Sequence, residues 1–299
     1  MLVEIFGRLS AFAPLDEYAY AGMGSVWFAD FLLAHRYLGI QDMTSMEWPR
    51  GSSERIDDNV PLATISMVHK PSAQAIPELD WTKRQILWLD YDGLISREVL
   101  IDVAAVASRA RSGSMLVVSV QCNEADEVCR ARNDGGADAV TRFADTFGRE
   151  RVGAIEEQDL YGWNFAQTSR RLIVQEVEAV VALRNGSESE AIPMAYQLVC
   201  EIEYADDAKM TTSVFVFYSP ADETTLARCA FERLDFIKTS GRTVRIEMPN
   251  LTLYEMRWLR KQLPAKDLTQ IDFRYLPQTE ATRYAKLYRY LPSFAVLEV

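Results

Sequence analysis

Residues 18–31 read Tyr18-Ala-Tyr-Ala-Gly-Met-Gly-Ser-Val-Trp-Phe-Ala-Asp-Phe31. The pattern predicts a short buried strand, a tight turn at Gly22-Met23-Gly24-Ser25, and a helix over residues 26–38 that stops at Gly39. Glycines let a ligand approach the backbone because they carry no Cβ. The first amides of the helix are directed at the same place. This stretch therefore predicts a ligand site at a strand-to-helix turn.

A carboxylate ends the next predicted strand. Glu47 follows Gly24 by about 20 positions, the spacing at which an acidic residue commonly binds ribose hydroxyls in βαβ units. A site for NAD or FAD would have a third glycine where this chain has Trp27, and the chain has no Gly-Lys-Ser/Thr, so it is no P-loop. The residues indicate another ribose-containing ligand, or simply a tight turn with a solvated Glu47.

The composition limits the classes of function. The chain has 299 residues, a net charge of −11 at pH 7, and hydrophobic and charged fractions of 48% and 25%. These fractions are those of an ordinary globular protein, and the acidic balance disfavours nucleic acid or an anionic membrane as a partner. No apolar run reaches the ~18–20 residues of a membrane span, and no secretory signal is visible. The four cysteines lack Cys-x-x-Cys spacing, so we expect free thiols in a reducing cytoplasm rather than disulfides or zinc.

Three further apolar runs, at residues 62–68, 84–90 and 114–120, predict buried parallel strands. The second run ends in Asp90-Tyr91-Asp92-Gly93. Because ligands of open α/β sheets bind at the carboxyl ends of strands, we expect this segment to line the site. In the alternative interpretation, Asp90 only caps the helix that begins after Ser96.

Two adjacent β-rich runs close the predicted sheet. Residues 194–204 and 211–218 are joined by a short polar turn, which predicts an antiparallel hairpin. With the five preceding strands this gives a mostly parallel α/β sheet of seven strands. We expect residues 1–232 to form the ligand-binding domain. Residues 233–299 are predicted to be an α+β extension packed on it, with a strand near residues 243–248 and a helix begun by the capping box Thr252-Leu-Tyr-Glu255.

The extension is locally basic. Residues 254–290 hold eight Lys or Arg and four Asp or Glu, together with several aromatic side chains. Such a segment is able to hold phosphates and stack bases. A helical surface with intramolecular ion pairs is the alternative explanation, and it is the one that we favour.

Several stretches resemble a bacterial family of O-methyltransferases that belongs to the class I S-adenosylmethionine-dependent superfamily. They are Tyr20-Ala-Gly-Met-Gly-Ser25, Met43-Thr-Ser-Met-Glu47, Leu87-Trp-Leu-Asp-Tyr-Asp-Gly93, Met248-Pro-Asn-Leu-Thr252 and Tyr288-Arg-Tyr-Leu-Pro292. The resemblance covers most of the chain. The glycine turn is most similar to the Gly-x-x-Ser turn of catechol-type O-methyltransferases.

The resemblance implies a Rossmann-like class I fold, a seven-stranded mostly parallel sheet with an antiparallel terminal hairpin. It also implies S-adenosylmethionine as the cofactor. Its methionine part would lie against Gly22, Met23, Gly24 and Ser25. Glu47 would bind the ribose, Ser72 at the end of the third strand would contact the adenine, and Asp90 would lie near the methyl group.

For catalysis, the resemblance implies that Asp90, Tyr91 and Asp92 line the methyl acceptor, with Asp90 as a base or ligand. Catechol-type enzymes place a divalent metal here, and an oxygen-rich set of Asp90, Asn123 and Glu124 would suit Mg²⁺. The match is loose, so we predict no metal.

The expected reaction is O-methyl transfer to an unidentified small-molecule or protein acceptor, in the cytoplasm. Two alternatives stay open. One is a catalytically inactive sensor or partner protein that kept the binding fold. The other is a nucleic-acid methyltransferase that uses the basic C-terminal segment, although the acidic remainder makes nucleic acid an unfavourable partner. The oligomeric state is not indicated by the sequence.

Overall fold

The computed structural model describes residues 1–48, 53–134, 136–186, 192–205, 207–240, 242–265 and 267–291. The contacts divide the chain into two compact units, residues 2–244 and residues 245–299. The larger unit contains the glycine turn and every residue predicted to form the site. The domain division expected at residue 232 stays a prediction.

Eight strands form a single sheet. In chain order they are β1 (Ala19–Gly22), β2 (Asp42–Met46), β3 (Ile65–Val68), β4 (Gln85–Leu94), β5 (Met115–Gln121), β6 (Ala195–Ala205), β7 (Lys209–Tyr218) and β8 (Thr243–Ile246). Their order across the sheet is β3-β2-β1-β4-β5-β7-β6-β8. The first five neighbours are parallel, and β7 is antiparallel to both β5 and β6. The predicted α/β fold with a reversed last hairpin is confirmed.

The predicted count of seven strands is wrong, because β8 is an eighth strand of the same sheet. We predicted a strand here but assigned it to the extension. The outer edge of β6 carries unpaired backbone groups, which a neighbouring extended segment can satisfy. The Glu201 amide donates to the Arg242 carbonyl at 2.9 Å, and the Thr243 hydroxyl donates to the Glu201 carboxylate at 2.8 Å. The sheet therefore gains a strand from beyond the hairpin.

Helices connect the strands. Within the described ranges the α-helices are α1 (Leu2–Gly7), α2 (Ala29–Leu38), α3 (Ser53–Asp57), α4 (Ser72–Ala75), α5 (Arg97–Arg109), α6 (Asp126–Asp134), α7 (Ala139–Phe147), α8 (Arg149–Val152), α9 (Gly162–Gly186), α10 (Glu223–Cys229), α11 (Asp235–Ser240), α12 (Leu253–Arg260) and α13 (Gln278–Leu287). None of these helices combines the length and the apolar character that crossing a bilayer requires, as far as the described residues go.

Helix α2 begins three residues later than the apolar spacing predicted. Phe28 has a left-handed backbone with φ 47°, so Val26 and Trp27 belong to the turn before the helix. The helix ends as predicted, because Gly39 takes the left-handed conformation with φ 74° that suits a residue without Cβ. The longer turn leaves the Trp27 side chain 78% exposed beside the predicted site.

The core of the larger unit lies between the sheet and the helices α5 and α9. Strand β5 is buried along almost its whole length, as its unbroken apolar run predicted. Helix α9 contributes an apolar face at helical spacing that includes Leu172, Ile173, Val177 and Val181. Burial on this scale keeps the strand ends of the sheet in fixed positions, on which the candidate site depends.

The smaller unit has its own core. Helices α12 and α13 pack around buried apolar side chains, namely Leu259, Ile271, Leu276, Ala281 and Tyr284. Helix α12 begins with the predicted capping box, in which Thr252 and Glu255 exchange hydrogen bonds between side chain and backbone. On α13, Arg283 forms ion pairs with Glu247 at 2.9 Å and with Glu280 at 2.6 Å. The positive charge of Arg283 is thus neutralised within the unit, as the ion-pair interpretation predicted for this segment.

Candidate functional site

Several of the predicted site residues come together at one edge of the sheet. Strands β1, β2 and β4 are parallel neighbours, and Gly22 at the end of β1 is in register with Ser45 and with Trp88. Glu47 and Asp90 each follow their register partner by two residues. The glycine turn, Glu47 and Asp90 therefore lie beyond the same carboxyl edge, the edge at which open α/β sheets bind ligands.

Close packing excludes a Cβ at Gly24 and leaves little space for one at Gly22. A Cβ added at Gly24 would overlap the Ser45 hydroxyl and would lie 2.8 Å from Glu47 Oε1. A Cβ added at Gly22 would lie 3.0 Å from Asp30 Oδ2 and 3.2 Å from the Tyr20 hydroxyl. The bare backbone of the turn thus lets two carboxylates approach it, one from the end of β2 and one from α2.

Glu47 is half-buried and directed at the turn. Its Oε1 accepts a hydrogen bond from the Ser45 hydroxyl at 3.4 Å, and its backbone amide donates to the Val68 carbonyl at 2.9 Å. Loss of hydration raises the pKa of this carboxyl, Ser45 and His69 lower it, and Asp30 and Asp92 raise it again. An ionised carboxylate such as that of Glu47 has two oxygens that can only accept hydrogen bonds.

Tyr20 and Asp30 form a pair that the sequence reasoning missed. The fully buried Tyr20 donates its phenol proton to Asp30 Oδ2 at 2.5 Å, and its ring packs edge-on against Phe31. Burial raises the pKa of Asp30, and the hydrogen bond from Tyr20 lowers it. The signal available in the sequence was an acidic residue in the first turn of the helix that follows the glycines.

Four carboxylates share this edge, and we call them the carboxylate cluster: Asp30, Glu47, Asp90 and Asp92. Partial loss of hydration raises the pKa of Asp90, and a hydrogen bond from Ser119 lowers it. The negative charges of Asp92 and Asp30 raise the pKa further. Glu47 and Asp90 are thus both close enough to Asp30 and Asp92 to be affected by their negative charge. The summed field favours a ligand that carries positive charge.

Tyr91 and Ser72 point to a different place from Asp90. Successive side chains of a strand face opposite sides of the sheet. Tyr91 accordingly donates its phenol proton to Asp102 Oδ2 at 2.6 Å, and the Ser72 hydroxyl donates to the same oxygen. The predicted roles of Tyr91 at the acceptor and of Ser72 at the adenine stay predictions. In the structure both hydroxyls are engaged with Asp102.

Asp102 is a second residue that the sequence reasoning missed. It lies on α5 among Val99, Val103 and Val106, and its side chain is only 1% exposed. Its Oδ1 is buried and makes no hydrogen bond with any described residue. Burial raises the pKa of Asp102, while the bonds from Ser72 and Tyr91 lower it. An aspartate on an otherwise apolar helix face was the available signal.

The side chains considered for a divalent metal are used elsewhere. Asn123 accepts a hydrogen bond from the Lys209 amide at 2.9 Å, and Glu124 forms an ion pair with Arg132 at 2.7 Å. Among the described residues, no group of three or more His, Cys, Asp or Glu side chains is arranged to hold a metal ion.

Comparisons with solved structures return chains of low identity. Trm1 from Pyrococcus horikoshii with S-adenosyl-L-methionine is 11% identical, covering 74% of this chain and 57% of that chain, with a TM-score of 0.44. The O-methyltransferase TomG from Streptomyces achromogenes, in complex with SAM, is 12% identical over 72% and 77%, with a TM-score of 0.37. An O-methyltransferase family protein from Burkholderia thailandensis is 10% identical over 73% and 56%, with a TM-score of 0.36.

A comparison of the sequence with family models gives a match over the whole chain. The model described as "Putative O-methyltransferase" matches residues 1–299. No curated protein matches the chain. The family match spans both compact units, including the glycine turn, the carboxylate cluster and the C-terminal unit.

Proposed function

The chain belongs to the "Putative O-methyltransferase" family; we propose that it is a class I S-adenosylmethionine-dependent methyltransferase that methylates a hydroxyl oxygen at the carboxyl edge of β1, β2 and β4. The acceptor is a small molecule or an exposed side chain of a protein. The observation that carries the proposal is the approach of Glu47 and Ser45 to Gly24, which leaves no room for a Cβ at the turn.

The residues at this edge suit the cofactor. Glu47 would accept hydrogen bonds from the two ribose hydroxyls, and the backbone at Gly22, Met23, Gly24 and Ser25 would hold the methionine part. The carboxylate cluster would offset the positive charge of the sulfonium. Bound there, S-adenosylmethionine supplies an electrophilic methyl group. The demethylated product has lost that charge, so the cluster would hold it less tightly and aid its release.

Asp90 is the candidate for proton removal from the acceptor. Its raised pKa makes this carboxylate a stronger proton acceptor than an ordinary aspartate. Asp92 lies two residues further on the same strand and adds negative charge beside it. Tyr91, held by Asp102, would fix the end of β4 so that the two carboxylates keep their direction. Much of the rate acceleration would come from alignment of the acceptor oxygen and exclusion of water.

The experiment that tests this proposal is a calorimetric titration with S-adenosylmethionine and with its demethylated product. We expect wild-type protein to bind both and to bind the cationic cofactor more tightly. Glu47→Gln removes a charged hydrogen-bond acceptor, which costs about 1.5–3 kcal/mol of binding free energy. The exposed Glu54 in α3 offers a control, Glu54→Gln, that makes the same chemical change away from the turn.

Absence of binding to either compound, or equal affinities for wild type and Glu47→Gln, overturns the assignment of the site.

A second experiment tests turnover with methyl-labelled cofactor and fractionated cell extract. Label should appear in an acceptor as a base-stable methyl ether, and Asp90→Asn should slow its appearance without weakening cofactor binding to the same degree.

A further inference from the structure

The smaller unit contains a positively charged groove on α12. The groove has a volume of about 590 Å³ and is lined by Tyr254, Arg257, Trp258, Arg260 and Lys261. Four of these residues follow the spacing i, i+3, i+4 and i+7, which places them on one face of the helix. The lining thus combines three cations and two aromatic rings, in a chain whose net charge is −11.

These cations are not neutralised along the helix. At three and four residues from Arg257, Arg260 and Lys261 the sequence places only apolar residues, an aromatic residue, a proline or another of the three cations. Like charges at these spacings destabilise a helix. Glu255, the acidic residue of α12, has its carboxylate engaged with Thr252 in the capping box. Stability of the helix therefore does not explain this arrangement.

Contacts with the other described parts of the smaller unit do not neutralise the three cations of the groove. Within the part of the chain that the structure describes, Arg257, Arg260 and Lys261 form no ion pair, and Arg260 donates its Nε proton to the Tyr284 hydroxyl at 3.2 Å. The contrast is Arg283 on α13, which is bound by two carboxylates. Three of the eight cations in residues 254–290 thus line the groove.

The aromatic residues of the groove differ in their freedom. The Trp258 indole donates to the Asp272 carbonyl at 2.9 Å, and the Arg274 guanidinium stacks 3.1 Å from its ring centroid. The Trp258 side chain is therefore held in one orientation at the side of the groove. Tyr254 is 62% exposed and leaves its ring open to a planar group. Leu259, on the opposite side of the helix, is fully buried and anchors α12 to the core of the unit.

We propose that this groove binds a nucleoside diphosphate, with the diphosphate between Arg257, Arg260 and Lys261 and the base against Tyr254. Guanidinium groups match phosphate oxygens with paired N–H donors, and exposed aromatic rings stack on bases. The volume lies within the range of about 300–1,000 Å³ of small-ligand sites. A long polyanion is disfavoured because the chain as a whole is strongly acidic. The site is separate from the methyltransferase site proposed above and does not depend on it.

The test is a calorimetric titration of the full chain with ADP, in which variants of the groove distinguish binding there from binding at the glycine turn. Pyrophosphate and adenosine are titrated separately as the two halves of the ligand. The double variant R257A/K261A replaces two cations by alanine, which favours the helical conformation and so preserves α12. R233A/K238A removes the same charge from exposed positions in the larger unit and serves as the matched control.

We expect ADP to bind, R257A/K261A to weaken it at least tenfold, and R233A/K238A to leave it unchanged. Pyrophosphate should bind more weakly than ADP and lose affinity in the same double variant. Y254A should weaken ADP binding and leave pyrophosphate binding unaffected. Affinity for ADP should fall as salt rises from 50 to about 200 mM because the contacts are ionic.

Three outcomes would overturn the proposal. The first is equal affinity for ADP in wild type and in R257A/K261A, when circular dichroism shows that both proteins are folded. The second is that adenosine binds as tightly as ADP. The third is that a ten-nucleotide single-stranded RNA binds far more tightly than ADP at 150 mM salt, which would make the groove a nucleic-acid surface.

Discussion

The sharpest test of the glycine turn is the substitution Gly24→Ala. The new Cβ would overlap the Ser45 hydroxyl and would lie 2.8 Å from Glu47 Oε1 and 3.0 Å from Phe28 Cε1. The Phe28 ring is fully buried and has no room to retreat. The Glu47 carboxylate is the more mobile neighbour, so we expect it to be displaced from the turn.

Two free energies change in this variant. Overpacking at a well-packed position costs roughly 1–3 kcal/mol of stability, and we expect the lower half of that range because one neighbour is a movable side chain. The displaced Glu47 would no longer hold the ribose, which costs about 1.5–3 kcal/mol of binding free energy. That loss corresponds to an affinity for S-adenosylmethionine weakened by about tenfold to 150-fold.

The assay pairs thermal denaturation with calorimetric titration of the cofactor. Gly93→Ala is the matched control, because a Cβ at Gly93, at the end of β4, meets no atom within 4 Å. We expect this control to melt and bind as wild type does. The unliganded melting temperature of Gly24→Ala should fall by about 2–4 °C for each kcal/mol lost in a unit of this size.

Gly24→Ala/Ser45→Ala separates the steric effect from other causes. Removal of the Ser45 hydroxyl takes away the closest obstacle, so the double variant should recover part of the stability that Gly24→Ala loses. If Gly24→Ala matches Gly93→Ala in melting temperature, the close packing of the turn is refuted. If only the affinity is unchanged, the link from this packing to cofactor binding is refuted.

Two further predictions concern charges. Arg170 on α9 forms a buried ion pair with Glu203 at 2.7 Å and donates a hydrogen bond to the Thr211 hydroxyl at 2.9 Å. Arg170→Leu should lower the free energy of unfolding by about 3–5 kcal/mol, because the Glu203 carboxylate stays buried after it has lost the attraction of the guanidinium. The control Arg149→Leu breaks an exposed ion pair with Asp145 and should lower the free energy of unfolding by at most about 1 kcal/mol. Equal losses in the two variants, measured by urea denaturation, would contradict the stabilising role of the buried pair. The pKa of the Asp90 carboxyl in the folded protein lies above the ordinary value near 3.8. The folded protein therefore holds the carboxyl proton more tightly than the unfolded chain does. As a result, the contribution of Asp90 to stability falls as the pH rises from about 4 through the raised pKa. Asp90→Asn should therefore gain stability relative to wild type as the pH rises from 4 to 7, and a difference that shrinks over this range would show that the carboxyl is not perturbed in this direction.

Local signals in the sequence were sufficient for most of the fold. Unbroken apolar runs predicted β4 and β5 because a strand buried on both faces has no polar side. The glycine turn, the stop of α2 at Gly39 and the capping box of α12 follow from backbone conformations that few residue types satisfy. Glu47 was predicted at the site because the distance along a βαβ unit is set by the lengths of its helix and strands.

The tertiary structure alone decided which side chains meet at the site. Tyr91 and Ser72 converge on Asp102, although 30 residues separate Ser72 from Asp102 along the chain. Tyr20 meets Asp30 only because α2 folds back against the end of β1. The eighth strand joins the sheet because β6 offers a free edge, which no local pattern reveals. Periodicity reports the face on which a residue lies, and only the packing of that face determines its partner.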